Sequence, residues 1–121
     1  MKDTGDINNM LFFKLIENSI FTHRQIQIIY NFSINNKMAY EISSGAYYRQ
    51  VKQTRTKLKK IYYSIMLLNL INLLNTNQIS ALTSIIDQLR LLNDNHEKYH
   101  KDDLTKIMDV IDEMIIKVIN L

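Results

Sequence analysis

The residues best equipped for chemistry in this chain are cationic and crowded together. From Arg49 to Lys60 there are six Lys or Arg residues and no Asp or Glu. Such a run suits a polyanion: arginine chelates a guanine edge, glutamine an adenine edge, and lysine a phosphate. If Tyr47, Val51, Thr54 and Leu58 turn inward on a helix, the outward set is Tyr48, Arg49, Lys52, Gln53, Arg55, Thr56 and Lys59. Ser44 at the start of that helix and Arg24 in the preceding helical segment add groups suited to phosphate. A solvated helix face is the ordinary use of a charge run, but here no acid is interleaved to pair with the bases.

A second constellation is His96-Glu97-Lys98-Tyr99-His100, which matches H-E-x-x-H. On a buried helix, two histidines four residues apart share a face and bind zinc, with the glutamate as general base. The flanks, Asn93-Asp94-Asn95 and Lys101-Asp102-Asp103, are those of a polar linker, and only Glu113 or nearby aspartates offer a third ligand. The expectation is a chance match, with no metal and no cofactor. His23 is expected at the surface or on phosphate. There is no glycine-rich phosphate loop, no nucleophilic triad order and no pair of buried carboxylates to propose, so a binding protein is expected, not an enzyme.

The 121 residues leave room for one domain, with 1–60 and 61–121 as its two regions. Cysteine is absent, which excludes disulfides and thiolate metal sites and agrees with a reducing cytoplasm. Met1 to Asn9 has no apolar run, so no signal peptide is expected. The greasiest stretch, Ile61 to Leu74, is interrupted by Ser64, Asn69 and Asn72 and is shorter than the ~20 residues of a bilayer span. Net charge is +3, but it is unevenly spread. Residues 1–60 carry ten bases against four acids, and 61–121 five against eight. Heavy use of isoleucine, asparagine and lysine reflects an AT-rich genome and makes single asparagines weak evidence.

No proline and only two glycines, Gly5 and Gly45, punctuate the chain, so an all-α fold is expected. Five helical segments can be traced. The first runs from about Asp6 to Ser19 on a stripe of Ile7, Met10, Leu11, Leu15 and Ile16. The second opens with the capping box Thr22-His-Arg-Gln25, stapled by Phe21 on Ile26, and has Ile26, Ile29, Tyr30 and Ser33 inward. Lys37 to Ser44 is a short helical turn or a tight connection. The third begins at Ser43 or Ser44 and follows a seam of Tyr47, Val51, Thr54, Leu58, Ile61, Ile65, Leu68 and Asn72. It is continuous to about Leu74 or breaks near Lys59–Ile61. Of the pairs Tyr47-Tyr48 and Tyr62-Tyr63, one member each is expected in the core. Asn75-Thr76-Asn77 caps a fourth helix, with Ile79, Leu82, Ile85, Ile86, Leu89 and Leu92 as its stripe. Asp102 or Asp103 caps a fifth, built on Leu104, Ile107, Met108, Ile111, Met114, Ile115 and Val118.

Phe21-Thr22-His23-Arg24-Gln25, then Ile42-Ser43-Ser44-Gly45-Ala46-Tyr47-Tyr48-Arg49, then Gln53 to Lys60, resembles the helix-turn-helix of sigma factor region four. It is also similar to small archaeal helix-turn-helix proteins carrying an I-S-x-G-A-Y-Y-R segment. The resemblance covers residues 21–60, a third of the chain. It departs in the middle, where only Asn36 to Ile42 is available for a full helix; either that helix is a single turn or the unit is another kind of helical DNA binder. The resemblance implies double-stranded DNA as partner and 44–60 as the recognition helix of a transcription regulator or chromatin-type protein. The rival is a helical module docking on RNA polymerase or a ribosome, or binding RNA. The last two helices are expected to pack on Ile61–Leu74, from the same chain or a second copy. In a homodimer, Ile61, Ile65, Leu68, Met108, Ile111 and Ile115 would supply the interface.

Overall fold

A computed structural model describes residues 9–33 and 44–119. The protein is all-helical: α1 (Met10–Glu17), α2 (His23–Ser33), α3 (Ser44–Leu70), α4 (Thr76–Asp94) and α5 (Lys101–Ile119), with a 3-10 turn at His96–Lys98 before α5. Asp6 and Ile7 of the expected first helix, and the whole connection 34–43, lie outside the described residues.

Polar side chains set the helix ends. Asn9 caps α1, its side chain accepting from the Phe12 amide, and its Nδ2 donates to Asn93 Oδ1 at 2.9 Å. One asparagine thus starts α1 and clamps it to the end of α4. The Thr22–Gln25 capping box forms as expected, with the Gln25 amide on Thr22 Oγ1 (3.2 Å) and the Thr22 amide on Gln25 Oε1 (3.0 Å). Asn75 and Gln78 make the same reciprocal pair at the start of α4. At α5 the expectation needs correcting. The helix begins at Lys101, and Asp103 reaches back from inside it to the His100 amide instead of standing before the helix as its cap.

Helix α3 is continuous through Lys59–Ile61; 27 residues at 1.5 Å each span about 40 Å. It stops at Leu70, short of the expected Leu74, because Asn72 takes a left-handed conformation (φ 66°). The Leu73 amide then donates to Leu68 O and the Asn72 amide to Asn69 O, which is a Schellman closure. Asparagine tolerates that backbone better than most residues.

Two packing centres result. Leu11 and Ile16 of α1, Ile85 of α4, and Leu104 and Ile111 of α5 are buried where α5 lies on α1 and α4. Ile28, with Gln25 and Asn31, is buried where α2 lies on α3, opposite buried Thr54. The inner face of α2 is therefore Gln25–Ile28–Asn31, about 150° round from the expected Ile26–Ile29–Tyr30–Ser33 stripe. Ile26, Ile29 and Tyr30 are only half-buried, and Ser33 is exposed. Contacts between α1 and α2 join the centres, so residues before and after position 60 share helices and core. Among the described residues α4 and α5 have their main contacts with each other and, through α5, with α1, and not with 61–74 as expected. Among the described residues no helix is long and apolar enough to cross a membrane.

Candidate nucleic-acid interface

The N-terminal half of α3 is held against α2 by chemistry as well as by packing. Thr54 is 3% exposed and donates its hydroxyl to Gln50 O, so it enters the apolar contact with no free donor. Lys57 Nζ donates to Ile20 O and to Gln25 Oε1, both at 2.7 Å. The capping glutamine of α2 is thereby bonded to α3, and the rotation of α3 about its own axis is set. Lys57→Met should cost roughly 1–2 kcal/mol, the worth of two charge-assisted hydrogen bonds on a half-buried site. An unchanged urea midpoint would show that this tie contributes nothing.

With Thr54 at the centre of the inner side, 100° per residue places Arg49, Lys52, Thr56 and Lys59 within about 40° of the opposite side. Arg49, Lys52 and Lys59 are exposed, as are Tyr48, Gln53, Arg55 and Lys60. The stripe from Arg49 to Lys59 is about 15 Å long. No acid occurs between positions 42 and 86, and among the described residues none of these cations has an ion pair. Their charge is uncompensated along one straight face. Thr56 is exposed but donates its hydroxyl to Lys52 O at 3.0 Å, so its proton is already engaged. Ser44 is exposed at the first residue of α3, and Gly45, also exposed, would have nothing within 4 Å of an added Cβ. Arg24 is exposed in the first turn of α2, which the Gln25–Lys57 bond places beside α3. All nine sequence-derived residues are thus accessible, with eight on one helix and Arg24 alongside.

Tyr47 is half-buried while Tyr48 is 70% exposed, their rings edge-on at 5.9 Å, which matches the expected split. Tyr62 and Tyr63 do not split: both are more than half exposed, and the main contacts of α3 among the described residues are with α2. His23 is exposed and sets its ring edge-on to Phe13 at 5.1 Å. The H-E-x-x-H stretch is not on an α-helix. His96–Lys98 form the 3-10 turn and Tyr99 and His100 follow it, so the one-face spacing of a zinc-protease helix is missing.

The residues expected at a dimer seam fall in two separate places. Ile61 and Leu68 are half-buried and Ile65 partly exposed on α3. Met108, Ile111 and Ile115 instead line the groove between α5 and α1, with Lys14 and Leu15 opposite. Ile111 also lines the α4–α5 groove and is 8% exposed, so it is core of this chain, where α1 and α4 converge on α5. Lys57, missed as a structural lysine, is legible in retrospect: it sits one helical turn from Thr54 on the inner side.

What fold and face define is an all-helical protein with one long, acid-free, basic helix side. No protein-family model, no characterised protein and no solved structure matches the chain.

Proposed function

We propose that this protein binds duplex DNA by laying the outward side of α3, from Ser44 to Lys60, into the major groove. It would then serve as a transcription regulator or chromatin-type protein of the cytoplasm. The observation that carries this is the uncompensated stripe of Arg49, Lys52 and Lys59 on a helix whose rotation is fixed by Lys57 and Gln25. The major groove of B-DNA is about 12 Å wide and admits an α-helix, whose diameter with side chains is about 10–12 Å. Arg49 and Gln53 are the residues able to read base edges, Lys52, Arg55 and Lys59 to hold phosphates, and Tyr48 to lie along the backbone. Arg24 extends the cationic surface onto α2. Duplex RNA is a poorer fit, since its major groove is too deep and narrow for side chains to read. The resemblance to helix-turn-helix proteins agrees with this use of α3, although its middle segment, 36–42, lies outside the described residues.

Polarisation binding of a random-sequence duplex at 50 and 200 mM salt tests the proposal. Neutralising about five phosphates should give a slope of log K on log salt of about −4.5. A slope near zero would remove DNA as the partner and leave the docking-module reading.

A further inference from the structure

The second half of α3 and the first half of α4 form an arm unlike the rest of the molecule. From Ile61 to Ile86 the sequence contains no charged residue at all. Tyr62, Tyr63, Met66, Leu67, Leu70 and Ile71 are all more than half exposed, Leu70 by 82%. Their positions cover about half the circumference of the helix, Ile61, Ile65 and Leu68 occupy much of the other half, and Ile79, Leu82 and Ile86 add exposed apolar surface on α4. A helix that is apolar on all sides belongs inside something. Yet the main contacts of α3 are with α2 and those of α4 with α5, so the two walls of the arm are not packed chiefly on each other.

We infer that this arm is the interface of a homodimer, in which each copy covers the exposed α3–α4 surface of the other. Three observations select a second copy as the occupant. The first is area. At roughly 200 Å² for a fully open large side chain, these six residues leave about 780 Å² in water. A standard interface buries about 800 Å² per partner, and patches on monomers rarely exceed a few hundred. The second is charge. Near a two-fold axis every group meets its own copy, so a charged residue there faces its like; a stretch of 26 uncharged residues meets no such repulsion. The third is that several polar groups of the arm are already satisfied. Ser64 Oγ donates to Lys60 O, Asn69 Nδ2 to Leu74 O and Thr83 Oγ1 to Ile79 O, while Asn75 and Gln78 cap each other. Covering the Ser64 and Thr83 hydroxyls strands no donor. The interface differs from the one expected in the sequence: Met108 and Ile111 are spent on α1 and α4, and the outward residues of the α3 tip take their place.

The dimer does not depend on the DNA reading, and its test contains no DNA. Light scattering on the full chain at tens of micromolar should give twice the 14.3 kDa chain mass. Leu67→Gln with Leu70→Gln, both at exposed helix positions, should give the single-chain mass with unchanged helicity, self-association being at least tenfold weaker. Should that variant unfold, Met66→Cys or Leu70→Cys in this cysteine-free chain keeps the question open to measurement. A bismaleimide should then join two chains there, and not at Glu113→Cys on the exposed side of α5. A wild-type mass of 14.3 kDa across this range, or efficient cross-linking only at Glu113→Cys, overturns the dimer. Pelleting of that monomer with anionic vesicles would assign the arm to a lipid surface instead.

Discussion

Ile111→Asp should strongly destabilise the fold of the single chain, not merely release a folded monomer. Ile111 stands where α5 meets both α1 and α4 and is 8% exposed. Leu15, Ile85, Leu89 and Met114 line the grooves beside it, and the cations there, Lys14 and Lys106, are respectively half-buried and exposed and not part of the core. The substitution loses the transfer energy of the isoleucine and places a carboxyl among apolar groups. Together these should cost about 3–5 kcal/mol, against a total stability of roughly 5–15 kcal/mol for a domain. Ile116→Asp, five residues on and 59% exposed, should change stability by no more than about 0.5 kcal/mol. Urea denaturation followed by circular dichroism compares the two. Equal midpoints for the two variants would mean that α5 does not close the core through Ile111.

The second large effect is expected at the basic stripe. Arg49→Ala with Lys52→Ala should weaken duplex DNA binding by about 1–3 kcal/mol and reduce the salt slope by roughly 1–2 units. Both side chains are exposed and neither bonds to another described residue, so helicity and melting temperature should hold. Lys117→Ala, a basic residue on the far end of α5, serves as the control and should leave affinity and slope unchanged. If the double variant binds as wild type does, the DNA surface is not α3.

Local signals in the chain account for much of the fold. The Thr22–Gln25 and Asn75–Gln78 boxes, the inward set Tyr47, Val51, Thr54 and Leu58, and the all-helical class were all readable from spacing and residue type. These depend on neighbours within a turn or two, where sterics and hydrogen bonding act without help from the rest of the molecule. Asparagines dismissed as genomic bias proved to mark ends and joints: Asn9 caps α1 and holds α4, and Asn72 terminates α3 through a left-handed backbone. Composition cannot distinguish such an asparagine from an idle one.

Which of several apolar stripes meet was not a local matter. The stripe of α5 and the seam of α3 each have helical periodicity, and either could have packed on the other. The chain instead sets α5 against α1 and α4, leaving the second half of α3 open. That choice rests on how whole faces fit and on clamps between distant residues, Asn9 with Asn93 and Lys57 with Gln25. The amphipathic periods thus determined by themselves that there would be helices and that a basic side of one would face water. Only the tertiary structure decided that Ile111 is core, that Lys57 is a structural tie, and that Met66 to Ile71 are left uncovered. Burial is a property of paired surfaces, and a single helix carries only half of each pair.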